Sequence, residues 1–515
     1  IRRVYLERSR LSSTSGTICV ELVRSLELSG GRVTEVPVHH YPRVHGRSQF
    51  FRVRSLAGTF AQVVVLFIRL VLRPSVQRGM MRMRSSQALW PTVIACMLAG
   101  LCLLAYVRAL QIPLIGDDYL QVHLARQYGP ISGWSALAGD PLYRCRATSL
   151  LMTYWTERIW GLDGFVFSVS SLVVHLLNCA LVCCLGMWRP VGWRLSSAAA
   201  ALFAASAQHQ EAVIWYAALP ELLMFFFVMA SFLCWVGWVQ RRSSFAYIAS
   251  FGLFLVALLS KESAVAVIPL MAIALACESG SSRWRFGGLA PFGAVALAYF
   301  LLALSDREAH LHFRDGTFSL SAPFLTVLRN SVGRLLWAWG FAGLLALACW
   351  RAWHWRRVAV IAGAWMCIAL LPYSFLTYMP RVPSRHTYLA GVGLALLLGA
   401  ALLELRQRCR YTSYRWAAAC AATVIILQQC AWIWTRKHEQ FVLRARPTEE
   451  LVNLVRSSSG PVYVKCFPYH ESIAHYALQY RISPEAVSAV VIGARARARP
   501  DAVDLCNAVV GRGSF

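Results

Sequence analysis

The sequence predicts an all-α, polytopic membrane protein of about eleven transmembrane helices, with a small α/β appendage at its C-terminal end. Three observations predict it. Apolar runs near the length of a bilayer-crossing helix recur between Trp90 and Trp434. Hydrophobic residues make up 57% of the 515 and charged residues only 15%, far from the composition of a soluble domain. The net charge of +27 sits largely in Arg-rich segments that alternate along the chain, which is the positive-inside pattern. That pattern accounts for most of the charge. No nucleic-acid module is legible.

Residues 1–58 are polar, basic and not membrane-spanning. The chain starts at Ile1 with neither Met nor a signal peptide, as a piece of a longer reading frame would. Arg32 to His39 alternates like a strand, with Pro37 placing it at an edge, and His40 to Ser48 reads as a basic turn able to hold a phosphate. Thr59 to Arg73 is apolar but short and carries Arg69, so residues 59–87 are expected to form an interfacial helix and a basic linker. Spans follow near 90–110, 165–187, 195–207, 219–239, 245–259, 263–277, 287–305, 331–350, 358–376, 387–403 and 416–434. In the tail, 435–515, Pro461 to Phe467 reads as a strand and Glu471 to Tyr480 as a helix.

Sidedness follows from charge. Arg73, Arg78, Arg82 and Arg84 put the start of the first span in the cytoplasm. Every second loop should then be basic, and Arg189/Arg194, Arg241/Arg242, Arg283/Arg285, Arg351/Arg356/Arg357 and Arg406/Arg408/Arg410/Arg415 fit. The remaining loops fall outside and hold the residues capable of chemistry. Most of the apolar-run cysteines act as small hydrophobes, and no CxxC or Cys/His metal spacing appears.

The first outer loop opens with Asp117-Asp118 directly after a span. Adjacent carboxylates at a low-dielectric boundary repel each other and lose solvation. One with a raised pKa suits a general base; both ionised suit a divalent cation; a solvated pair ending a helix is the bland alternative. His209 and Glu211 could bind a metal, orient an acceptor or donor, or cap a helix. Lys261-Glu262 is either a mutually neutralised turn or a source of positive charge for a phosphate. Arg381 and Arg385 lie in an outer loop, against the positive-inside trend, and so call for an anion: a structural carboxylate or, as preferred here, a ligand phosphate. Trp134, Tyr143, Trp155 and Trp160 read as interface anchors before sugar platforms, with a surface helix expected near Ser132 to Leu137.

Two resemblances bear on function. Val36-Pro37-Val38, Arg43 and Gly46-Arg47-Ser48 resemble the C-terminal end of a polyprenyl-phosphate glycosyltransferase of the dolichol-phosphate-mannose-synthase type, which would set Arg43, Arg47 and Ser48 near a lipid phosphate. The nucleotide-sugar fold of that family is missing from this chain. Asp117/Asp118, His209/Glu211, Ser260-Lys261-Glu262-Ser263 and the Arg381–Arg385 loop, in that order over about residues 88–434, resemble the GT-C membrane glycosyltransferases of the protein O-mannosyltransferase and aminoarabinose-transferase branch. The likeness implies a GT-C-like bundle, a polyprenyl-phosphate-linked sugar donor, transfer outside the cytoplasm and an essential acid in the first outer loop. It also implies a home in the bacterial cytoplasmic membrane. Asp117-Asp118 departs from the Asp-Glu of many protein mannosyltransferases, and their large external domain is missing, so the acceptor is left as glycan, lipid or protein.

The sequence identifies no certain cofactor and leaves a divalent metal open. Its partners would be the lipid-linked donor, the acceptor and membrane lipids, with no nucleic acid. An inverting displacement is expected, with Asp117 or Asp118 as base, His209, Glu211 and Glu262 orienting acceptor or donor, and Lys261, Arg381 and Arg385 at the phosphate. Two other classes compete: a transporter or flippase of lipid-linked sugar, and a non-catalytic membrane partner of a cytoplasmic glycosyltransferase. A transporter would carry ionisable groups near the midplane, and a mere partner would tolerate loss of the outer acids.

Overall fold

The computed structural model describes residues 22–23, 89–130, 136–137, 139–278, 283–306, 317–377, 379–410, 414, 416–458, 460–493, 496 and 499–506. The chain divides into two units, Ile1–Val93 and Ile94–Phe515. The expected strand, basic turn and interfacial helix before residue 88, with Arg43, Arg47 and Ser48, lie outside the described residues, as does most of the Ser132–Leu137 segment.

All eleven apolar runs are helical. They form α1 (Leu89–Tyr106), α4 (Gly164–Cys184), α5 (Gly192–Ala204), α6 (Leu219–Arg241), α7 (Ser244–Leu258), α8 (Val267–Cys277), α9 (Ala290–Ser305), α10 (Phe324–Cys349), α11 (Arg356–Leu370), α12 (Gly391–Arg408) and α13 (Ala417–Trp432). In hydrocarbon a helix is the way a single segment satisfies its own backbone donors and acceptors, which is why an apolar run of this length adopts one. Among the described residues seven helical segments are long and apolar enough to cross a membrane: Pro91–Gln111, Gly164–Met187, Tyr216–Arg241, Arg285–Ser305, Phe324–Cys349, Trp353–Phe375 and Ala417–Ser457. The expectation of about eleven full spans is therefore too high by that measure; α5, α7 and α8 are too short, and the 18 residues of α12 include Glu404, Arg406 and Arg408.

Helix α12 is the axis of the bundle, with every residue from Gly391 to Ala401 buried. Two glycines allow its neighbours in. A Cβ on Gly393 would meet the Ala362 carbonyl of α11 at 2.5 Å, and one on Gly399 would meet Leu195 of α5 at 3.1 Å. Small residues permit this close approach where lipid offers no hydrophobic drive between helices.

The first outer loop is not a loop. Between α1 and α4 lie α2 (Gly116–Tyr128) and α3 (Ala147–Trp160), joined through a short helix, Pro141–Arg144, that Asp140 caps by accepting from the Leu142 and Tyr143 amides at 2.9 and 3.1 Å. At the C-terminal end, α14 (His438–Ser457) continues α13 and leads into a parallel sheet of order β2-β1-β3, built from β1 (Val462–Cys466), β2 (Val490–Ile492) and β3 (Val503–Asp504). Val462 pairs with Val490 and Val464 with Val503. Helix α15 (Glu471–Arg481) follows β1, and a Cys466–Cys506 disulfide fastens the sheet.

The basic loops meet one another. Arg189 pairs with Glu278, Arg357 donates to the Cys277 carbonyl, and Arg408 donates to Trp350 O while pairing with Glu404 at 2.8 Å. The ends of α4, α8, α10, α11 and α12 thus share one end of the bundle.

Candidate functional site

The site begins where α1 gives way to α2. Asp118 is buried, and both of its oxygens are taken: Oδ2 accepts from the Ile115 amide and Oδ1 from the Ala217 amide, each at 2.7 Å. The first bond closes the N-terminus of α2, where backbone donors are otherwise orphaned. The second ties that turn to the segment preceding α6. Burial pushes the Asp118 carboxyl up to about 7 against the pull of these two amides. Asp117, its neighbour, is half-buried and has no hydrogen bond among the described residues. Burial raises its carboxyl too, while the guanidiniums of Arg385 and Arg444 act in the opposite sense. The two aspartates are therefore unlike in their surroundings: Asp118 has both oxygens bonded to backbone amides, and Asp117 is the carboxylate left open.

A second carboxylate, Glu211, sits on the short helix Gln210–Ile214. Its Oε2 accepts from Ser384 Oγ at 3.0 Å and from the Arg385 amide at 3.3 Å. Its Oε1 takes Arg385 Nη1 at 3.0 Å and Arg444 Nη1 at 3.5 Å. Burial alone would raise this carboxyl; Arg385 and Arg444 overcome it and hold it down at about 2. Both guanidiniums also lie over the Trp215 ring, at 5.1 and 5.8 Å.

The third, Glu221, is in the first turn of α6 and only 2% exposed. It accepts from Lys261 Nζ, His386 Nδ1 and, at 2.7 Å, the Tyr373 hydroxyl. Tyr373 stacks on His386 with centroids 4.2 Å apart, and Lys261 stands 5.0 Å above the Tyr373 ring. Burial lowers the Lys261 ammonium, with Glu221 opposing, and pushes the His386 imidazole down to about 3. Glu262, next to Lys261, pairs with Arg146 at 3.2 Å.

The Glu221 group, together with Glu262, Arg146 and Arg385, opens on a cavity of about 440 Å³. Arg146, Lys261, Glu262, Arg385, His386 and Glu221 line one part of it. Phe300, Phe318, Leu320, Phe375 and Leu376 line another. Ala217, whose amide holds Asp118, is on its wall, so the α2 turn and the cavity are adjacent. A polar end rich in cations and a long apolar wall suit a molecule with an anionic head and a hydrocarbon tail.

Two of the residues expected at the site stand apart. His209 is fully buried among Phe203 and Tyr388, at centroid distances of 4.5 and 4.7 Å, and neither ring nitrogen has a partner among the described residues. Its ring nitrogens make no hydrogen bond to the Glu211 cluster. Arg381 is exposed and does not line the cavity. Among the described residues, the metal-capable groupings are Cys102/His175/Cys179 and Cys466/Asp504/Cys506, and neither includes a site carboxylate. His175 is already engaged at both nitrogens, by the Tyr388 hydroxyl at 2.6 Å and the Ala204 carbonyl at 3.2 Å, and the second pair of cysteines forms the disulfide.

No protein-family model matches the chain, and no curated protein matches it. Among solved structures it is similar to ArnT from Cupriavidus metallidurans bound to undecaprenyl phosphate. That match has 13% identity and a TM-score of 0.45, covering 81% of this chain and 90% of that one. It is also similar to the Archaeoglobus fulgidus oligosaccharyltransferase in complex with Zn and sulfate, at 12% identity and a TM-score of 0.44, covering 76% of this chain and 57% of that one. With similarities this distant, the functional reading rests on the residues of the chain itself.

Glu221, Arg146, Tyr373 and Arg444 are site residues that sequence reasoning passed over. Glu221 carried a signal: a lone carboxylate within an apolar run is costly unless it has a task. Arg146 and Arg444 carried none, since their partners are 116 and 233 residues away.

Proposed function

We propose that the chain is a GT-C-type membrane glycosyltransferase that moves a sugar from a polyprenyl-phosphate-linked donor to an acceptor hydroxyl, with inversion at the sugar carbon. The observation that carries this reading is the cavity, cationic at one part and apolar along another, set beside an open carboxylate. The donor phosphate would meet Lys261, Arg385 and Arg146, and its prenyl chain would follow the Phe318–Leu320 and Phe375–Leu376 wall. The acceptor oxygen attacks the sugar C1 as the C1–O bond to phosphate breaks. Asp117 takes the hydroxyl proton, and polyprenyl phosphate leaves with its charge held by the cations. A phosphate leaving group lessens the need for a general acid. Asp118, with both oxygens bonded to backbone amides, shapes the turn and is not the group that receives the acceptor's proton. The reaction would run on the extracytoplasmic face of a bacterial cytoplasmic membrane, where the positive-inside rule puts this end of the bundle.

The test is transfer of radiolabelled sugar from a polyprenyl-phosphate donor in proteoliposomes. Asp117→Asn is expected to lower transfer by roughly 10²–10⁴-fold with expression intact. Transfer retained in Asp117→Asn would remove the base. Label crossing the bilayer with no transfer, in wild type and variant alike, would make the chain a transporter.

A further inference from the structure

We infer that Tyr469, a residue of the C-terminal α/β unit, is a positioning residue for Asp117, and that the Cys466–Cys506 disulfide keeps it in place. The inference rests on the reading of Asp117 as the base, and it adds a part of the chain that the mechanism above does not use.

Gly116 immediately precedes Asp117, and the Tyr469 ring lies flat against it. A Cβ on Gly116 would sit 3.1–3.2 Å from three ring carbons, so the glycine is there to admit the aromatic ring. The Tyr469 hydroxyl donates to the carbonyl of Arg444, the residue whose guanidinium reaches Glu211 and faces Trp215. One side chain therefore bridges the backbone that presents Asp117 and the helix that presents one of its opposing charges. The turn is held from two sides: Asp118 clasps Ala217 on one, and Tyr469 covers Gly116 on the other. Asp117 alone in it keeps an unbonded carboxylate.

Tyr469 is itself held. It lies three residues beyond Cys466, in the segment between β1 and α15. The disulfide fixes the β1 end of that segment. Helix α15 fixes the other on α2, through the Tyr480 hydroxyl at 2.7 Å from His123 Nδ1, the Tyr476 ring stacked on His123 at 3.8 Å, and Arg481 donating to the Tyr119 hydroxyl at 3.1 Å. An appendage built only to be attached would not need to place a tyrosine on the residue before the base.

The experiment pairs two readouts on the full chain in proteoliposomes. The first is the rate at which a hydrophobic carbodiimide labels Asp117, followed by mass spectrometry, which needs no transfer activity. Tyr469→Ala is expected to raise that rate severalfold, and Gly116→Ala, which pushes the ring away without deleting it, to do the same. Tyr469→Phe, which keeps the ring, should stay near wild type. The second readout is steady-state transfer: kcat falls about tenfold to a hundredfold in Tyr469→Ala while KM for the donor is unchanged, and Tyr469→Phe recovers most of the loss. Reduction of the disulfide by dithiothreitol should move both readouts in the direction of Tyr469→Ala. Labelling that is unchanged in both Tyr469→Ala and Gly116→Ala overturns the inference. A wild type that transfers no sugar but shows the labelling differences would overturn the glycosyltransferase reading and leave the positioning role standing.

Discussion

Asp117 and Asp118 are identical in type and adjacent, yet their surroundings give them separate tasks. Two amides aimed at Asp118 make its carboxylate an acceptor of fixed geometry, and burial sets that carboxyl near 7. Because its folded value lies above the ordinary 3.8, the stability Asp118 lends is greatest at low pH and is lost as pH rises through about 7. His386 works in the opposite sense: burial holds it to about 3, so its contribution is lost as pH falls below the ordinary 6.5. The clean observable is a difference between proteins. The unfolding temperature of wild type minus that of Asp118→Asn, measured in detergent, should decline from pH 5 to pH 8; a flat difference would mean that Asp118 does not titrate in this range. Asparagine also turns an NH₂ toward one of the two amides, a loss of about 1–3 kcal/mol. Local sequence could not separate the two aspartates. The donor that decides the matter, Ala217, is 99 residues away.

The element that positions most of the site is α12, since Arg385 and His386 lie in the turn entering it and its packing fixes where that turn sits. Its close approach to α11 depends on Gly393. Gly393→Ala would press a methyl against the Ala362 carbonyl and Met366 Cγ, at 2.5 and 2.7 Å, and force the helices apart. The expected cost is about 1–3 kcal/mol, read as a lower unfolding temperature, with transfer reduced because Arg385 and His386 move with the helix. Gly100 in α1 supplies the control: a Cβ there meets nothing within 4 Å, so Gly100→Ala should keep transfer unchanged and hold or raise the unfolding temperature. An equal loss in the two variants would mean that interhelical fit does not govern the effect, since alanine's helix propensity works toward a gain at both positions. Such fits were not legible beforehand. The apolar runs announced the helices, because length and hydropathy are properties of one segment. The shortness of α5, α7 and α8 was legible too, in the runs 195–207, 245–259 and 263–277, but the packing of neighbouring segments that replaces their missing turns was not.

Across the whole molecule, two chemistries occupy two groups of loops. Basic residues gather where Arg189, Arg357 and Arg408 bridge the helix ends. Carboxylates, cavity and C-terminal sheet gather where α2 meets α6 and α15. This segregation was readable from the alternation of Arg along the chain, whereas the contents of the cavity were not, because Arg146, Glu221, Lys261, His386 and Tyr373 come from five separate stretches. Single cysteines introduced at the exposed Arg242 and Arg446, on a background without exposed native thiols, should react with a membrane-impermeant maleimide from opposite sides of the membrane. Labelling from the same side would invert or dissolve the assignment of an outer face.

The resting cavity is not bare positive charge. Lys261 and His386 are held by Glu221, Arg385 by Glu211 and Arg146 by Glu262. Each carboxylate acts as a stand-in anion, so a phosphate arriving there must compete with a sitting tenant. Its affinity is then the difference between two anions for the same cations, and charge count becomes a filter. A phosphate monoester released at the end of a turnover, bearing more negative charge than the sugar-linked diester that entered, would hold those cations more strongly than the substrate did. Under the proposed function, the slow event in each cycle would then be the departure of the spent lipid, and product inhibition would follow from the site itself.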